Sequence, residues 1–241
     1  GRNAMQASLT ARIGTVGATQ VRFLFGLPFA IMFLAAIAWA SGEAVPLPGL
    51  ASLGFTTAGA LAQIGGTAMM LVTMKSQSFA VTTAWLKTEP VIVALTAALI
   101  LGDPLTPAML VAIAIATAGV MLMTLKSGGA GQMLRAWRPA ASGLLAGGLF
   151  GASAIGFRGG IIGLDQGGFL IRATSTLVLT LTIQTTVLIL WMLLFNRPAL
   201  RGSFAVWRAS LGAGFLGALA SLFWFIGFAL TSAANVRTLA L

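Results

Sequence analysis

The sequence predicts an all-α polytopic membrane protein, and three observations carry that prediction. Apolar runs of about 20 residues, the length a helix needs to cross a hydrocarbon core about 30 Å thick, recur along the chain. Hydrophobic residues make up 58% of the 241 positions and charged residues only 7%, a balance foreign to soluble domains. The breaks between runs are short and rich in Gly, Pro, Asn, Asp and Ser, residues that end helices or favour turns.

In chain order, complete spans are expected at 17–40, 50–74, 77–101, 106–125, 139–162, 169–195 and 208–231. Ser41-Gly42-Glu43, Gly102-Asp103-Pro104, Ser127-Gly128-Gly129 and Asn196-Arg197-Pro198 read as the turns between them. Gly1 to Leu9 reads as the tail of an earlier helix and Thr231 to Leu241 as the start of a later one. With no initiating Met, no signal-peptide pattern and an apolar run still open at Leu241, the chain reads as a fragment truncated at both ends.

The chain has no Cys and no His. That excludes disulfides, thiolate and imidazole metal sites, and Ser-His or Cys-His nucleophile pairs, so no metal, cofactor or enzymatic activity is expected. The net charge of +10 is not a nucleic-acid footprint, because the Lys and Arg residues fall mainly in loops between spans. Arg12, Lys75, Lys126, Arg135, Arg138, Arg197, Arg201 and Arg208 gather on one face by alternation of loops. Glu43, Asp103 and Asp165 gather on the other, with Arg158 and Arg172 nearby. The basic face is expected to be cytoplasmic. Trp39, Trp137, Trp191 and Trp207, near span ends, read as interfacial belt residues.

The most unusual intramembrane feature is Lys87 and Glu89, followed by Pro90, inside the apolar stretch 78–101. At 1.5 Å per residue Glu89 is expected roughly 16 Å deep, near the midplane, where an ionisable group costs about 2.5–3.5 kcal/mol. Such groups are retained mainly where they face a cavity, a partner or a solute path. Two residues apart, Lys87 and Glu89 point to different sides of a helix and each needs its own partner. Arg22 enters its span from the same membrane face and is nominated to pair with Glu89; the bland alternative is that it snorkels to headgroups. Glu89 is expected to carry a coupling proton, to bind a substrate ammonium, or to form a structural ion pair. Pro90 would kink the helix and free a backbone carbonyl beside the acid. Gln63, Trp85, Trp224 and Asn235 are weaker candidates for lining a pocket, with packing and helix-to-helix hydrogen bonding as the ordinary reading, which also covers Gln184. Arg158 and Arg172 are expected either to attract an anionic solute or to snorkel.

Gly59-Ala60-Leu61-Ala62 recurs as Gly217-Ala218-Leu219-Ala220, and Arg2 and Arg22 correspond to Arg158 and Arg172. This divides the chain into a first repeat at 1–125, a connecting loop at 126–138 and a second repeat at 139–241. Five spans in each half would place the halves in opposite orientations, the arrangement of secondary transporters with a midplane substrate site. Gly143, Gly147 and Gly151 recur every four residues, a smooth face for close helix packing. Gly212-Ala213-Gly214-Phe215-Leu216-Gly217 fits a dinucleotide fingerprint only by spacing, since no strand precedes it.

The segment Ser78-Phe79-Ala80-Val81-Thr82-Thr83-Ala84-Trp85-Leu86-Lys87-Thr88-Glu89-Pro90, then Leu101-Gly102-Asp103-Pro104-Leu105, then Ala116-Thr117-Ala118-Gly119-Val120-Met121-Leu122-Met123, resembles EamA-type members of the drug/metabolite transporter superfamily. The resemblance covers nearly the whole chain and rests on the order of helix, short Gly-Asp turn and helix ending in Ala-Gly-Val. It implies ten helices in two inverted five-helix repeats and transport of small organic metabolites or drugs, often as efflux across a bacterial inner membrane. On that template the chain lacks most of helix one and nearly all of helices nine and ten. The family keeps both termini in the cytoplasm, whereas the charge distribution here argues the reverse; the superfamily includes members of inverted or dual orientation. The expected partners are a small-molecule substrate and the lipid bilayer, as monomer or homodimer. The rival readings are a non-catalytic membrane subunit or scaffold and, with little to support it, an intramembrane lipid-modifying enzyme.

Overall fold

The computed structural model describes residues 20–76, separate positions between 93 and 118, residues 137–205 and residues 207–238. Within these residues the chain is helical and contains no strand. The helices are α1 (Leu27–Ser41), α2 (Leu50–Ser76), α3 (Trp137–Ile162), α4 (Phe169–Phe195), α5 (Arg197–Ala205), α6 (Trp207–Leu230) and α7 (Ala233–Thr238). Among the described residues five stretches are long and apolar enough to cross a bilayer: Gln20–Ser41, Leu50–Val72, Ala141–Ile162, Phe169–Phe195 and Ser210–Leu230. They coincide with five of the seven expected spans, and the protein is an integral membrane protein. The expected spans at 77–101 and 106–125 lie largely outside the described residues.

Local chemistry accounts for the ends. A helical piece at 20–24 turns at Phe25 and Gly26 before α1 begins, and Pro28 in the first turn of α1 has no N–H with which to continue the ladder backwards. At the far end Gly42 takes φ 69°, a left-handed conformation that suits glycine, and its N–H bonds the Ala38 carbonyl at 3.0 Å. Asn196-Arg197-Pro198, expected as a plain turn, instead opens α5. The Asn196 side-chain oxygen accepts the Ala199 N–H at 3.2 Å, and Pro198 sits in the first turn, where a missing donor costs nothing. After α6 the chain breaks at Thr231 and Ser232, and the Ser232 hydroxyl accepts the Asn235 N–H at 3.2 Å to start α7. The helix start expected after residue 231 is therefore present.

The most intimate pair is α2 with α3, which run antiparallel. A Cβ on Gly156 would stand 2.6 Å from the Gly59 Cα, and one on Gly159 would stand 2.6 Å from the Phe55 ring. A Cβ on Gly160 would strike the Thr56 hydroxyl, and one on Gly163 would lie 3.3 Å from Ser52. Across the same contact the Ser52 hydroxyl donates to the Gly160 carbonyl at 2.7 Å. Without water, dispersion and such hydrogen bonds hold helices together, so close backbone approach takes the place of the hydrophobic effect. The expected stripe Gly143, Gly147 and Gly151 is buried, yet the tightest approach described falls one to three turns further on.

Helix α4 lies at the centre, touching α1, α2, α3, α5 and α6. Phe23, Phe157, Leu177, Leu222 and Phe225 fill the core around it. Outward-facing positions such as Leu190, Leu194, Leu216 and Phe223 are apolar and exposed, as a lipid-facing perimeter requires. Trp39 near the end of α1, and Trp191 and Trp207 near the opposite edge, are exposed at heights that suit an interfacial belt.

A candidate polar site in the helix bundle

Gln63 stands midway along α2, and its side-chain oxygen accepts the Gln184 amide of α4 at 2.8 Å. The same Gln184 amide nitrogen reaches the Ala60 carbonyl at 3.2 Å. Gln184 closes a polar ladder on α4, Thr176, Thr180 and Gln184, spaced four residues apart and all three buried. In an apolar helix this spacing puts polar groups on one face, turned away from lipid. The Thr180 hydroxyl and the Gln184 side-chain oxygen have no hydrogen-bond partner among the described residues. A buried polar group left in that state costs about 1–3 kcal/mol, and Gln20, Thr56, Ser175 and Thr185 carry such atoms elsewhere in the bundle.

Arg22 approaches the same level from the segment before α1. Its guanidinium donates to the Thr67 hydroxyl at 3.2 Å and stands 5.3 Å from the Phe23 ring centroid. Thr67 is one turn from Gln63 on α2 and lies about 14 Å along the helix from its end at Ser76. Arg22 thus reaches Thr67, which lies five residues inside the end of the span Leu50–Val72. Between these residues lies a narrow cleft with room for about one water molecule, lined by Arg22, Gly26, Gln63, Thr180, Gly217 and Ser221, with Phe23, Leu177, Leu181, Ala218 and Phe225 as its apolar wall. Four chain segments contribute to it. Glycine matters at one edge: a Cβ on Gly214 would collide with the Phe25 carbonyl, so the broken helix before α1 and α6 meet backbone to backbone.

Of the sequence candidates, Arg22 and Gln63 therefore come together at the cleft. Lys87, Glu89, Pro90 and Trp85 lie outside the described residues, and so does the nominated pairing of Arg22 with Glu89. Trp224 lies elsewhere on α6, its ring 5.9 Å from that of Phe228 and 4.7 Å from the Arg237 guanidinium. Asn235 is exposed on α7, where its side-chain amide donates to the Thr231 hydroxyl at 3.1 Å. Thr180 and Ser221 went unremarked in the sequence. The four-residue spacing of Thr176, Thr180 and Gln184 was the available signal for the first, and Ser221, alone in an apolar run, gave none. The two Gly-Ala-Leu-Ala copies differ in setting. A Cβ on Gly59 would press on the Phe157 ring at 2.9 Å, whereas Gly217 lines the cleft with nothing near its Cβ position.

Among the described residues, Arg158 and Arg172 have structural partners. The Arg158 guanidinium donates to the Phe228 carbonyl at 2.8 Å and to the Thr231 carbonyl at 2.6 Å, satisfying acceptors that the end of α6 leaves open. Arg172 makes a long contact of 3.4 Å to the Leu164 carbonyl. At the loop edge both Glu43 carboxylate oxygens accept the Gly168 N–H at 3.1 Å, which places a negative charge at the start of α4. Comparison with protein-family models, with curated proteins and with solved structures returned no match.

Proposed function

We propose that the protein is a secondary membrane transporter of the EamA type, exporting small organic metabolites or drugs across a bacterial inner membrane by alternating access. The complete protein would hold ten helices in two inverted five-helix repeats, with the solute or its coupling proton handled by Glu89 and Lys87 near the midplane, by Gln63, and by Arg22 reaching in from nearer one face. The observation that carries the reading is the cleft itself: Arg22, Gln63, Thr180 and Ser221 converge on it, next to two buried polar atoms without partners among the described residues. Secondary transporters place their sites at such depth beside interrupted helices. The turn at Phe25 and Gly26, followed by Pro28, interrupts a helix beside this cleft.

The test is counterflow of labelled amino acids, nucleosides, sugars and organic cations by the full-length protein in proteoliposomes. Exchange of at least one class is expected, lowered about ten-fold in Arg22→Gln and in Thr180→Val, the loss of about one hydrogen bond to a charged or buried partner. Unchanged uptake and unchanged pH dependence in Glu89→Gln would remove that residue from both active roles. One observation favours a scaffold instead: the Gln184 amide is already used on Gln63 and Ala60, as helix-to-helix glue would be. A scaffold predicts no counterflow and no loss of function when Arg22 and Gln63 become apolar.

A further inference from the structure

We infer that the edge of the bundle formed by α5 and the start of α6 is a docking site for an anionic phospholipid headgroup. Helix α5 is unlike the spanning helices: short, amphipathic and packed against α4, with Ser203 buried and Ala199 and Leu200 partly covered. Its other side presents Arg197 and Arg201, both exposed, and Arg208 follows at the start of α6, also exposed. Arg197 is anchored by donating from Nε to the Leu193 carbonyl at 3.0 Å, and the Arg208 guanidinium stands 5.4 Å from the Trp207 ring centroid.

Arginines four residues apart on one helix repel each other unless an anion lies between them. Among the described residues no acid lies at this edge: Glu43 and Asp165 lie at the opposite end of the bundle. Phe204 and Trp207, both about half exposed, lie between Arg201 and Arg208 in sequence, just before the span that begins at Ser210. A cationic row with apolar side chains beside it fits a lipid, whose phosphate meets the arginines while its chains meet the rings, better than it fits a free phosphate.

The test follows Trp207 fluorescence in the detergent-solubilised full-length protein titrated with phosphatidylglycerol carrying brominated chains, with Trp207→Phe as the blank. Saturable quenching is expected, weakened by high salt. The Arg201→Gln, Arg208→Gln pair is expected to bind about 30-fold more weakly, about five-fold for each arginine. The Arg201→Lys, Arg208→Lys pair keeps both charges and is expected to bind within about three-fold of the parent. Equal quenching by brominated phosphatidylcholine would overturn the proposal in favour of unspecific contact with lipid tails. Full displacement by millimolar inorganic phosphate would overturn it in favour of a soluble anion site. Equal loss in the Gln and Lys pairs would overturn the electrostatic basis.

Discussion

Arg158 shows how one residue type changes meaning once its neighbours are known. In the sequence it is a cation near a span end, for which snorkelling is the default. In the bundle it crosses from α3 to the end of α6 and holds the Phe228 and Thr231 carbonyls. Carbonyls at a helix end have no intrahelical donor, so removing the arginine that serves them leaves them to be satisfied elsewhere. Arg158→Met is expected to lower stability by about 1–3 kcal/mol, and Arg172→Met, whose contact to Leu164 is long, by less. Thermal unfolding midpoints in detergent compare the two. Glu43 is the acidic counterpart. Glu43→Gln removes the charge facing the start of α4 and is expected to cost about 0.3–1 kcal/mol, a loss that shrinks as salt is added, measured by the same unfolding midpoints.

Helices α2 and α3 form the element that tolerates least change. Gly156→Ala would drive a methyl group to 2.6 Å from the Gly59 backbone, which cannot rotate away as a side chain can. The expected cost is about 1–3 kcal/mol, the penalty of overpacking. Gly148→Ala, on the same helix with open space around its Cβ position, is expected to be neutral or to stabilise by up to about 1 kcal/mol through helix propensity. Denaturation of both variants in mild detergent tests the contrast, and equal behaviour would discard the close-packed reading of the pair. The spacing of Gly143, Gly147 and Gly151 correctly signalled a packed face on α3. It did not locate the closest approach, because that depends on where along both helices the axes cross. The short helix α5 was missed for a different reason: Asn and Pro serve both turns and helix starts, and only the continuation to Ala205 separates the two.

Among the described residues, opposite edges of the bundle differ in charge. Arg197, Arg201 and Arg208 lie at one edge and Glu43 and Asp165 at the other, which agrees with the sidedness read from alternating loops. Because the chain has no native Cys, single substitutions report topology directly. Arg201→Cys in intact cells is expected to resist a membrane-impermeant maleimide, and Asp165→Cys to react with it; the reverse pattern would place the basic edge outside and overturn the cytoplasmic assignment. The polar cleft was legible only in its parts. Gln63 and Arg22 stood out as polar residues inside apolar runs, but nothing in either run announced that Gln184 would face Gln63 or that Thr180 would sit beside Arg22. The sequence by itself determined the helical membrane class, the five described spans to within a few residues and the charge of each edge, since insertion cost and turn chemistry act on one segment at a time. Only the tertiary structure decided that Arg22, Gln63, Thr180 and Ser221 share a cleft and that Arg158 caps α6. The rotation of each helix about its axis and its slide along its neighbours are left free by hydropathy, and packing alone sets them.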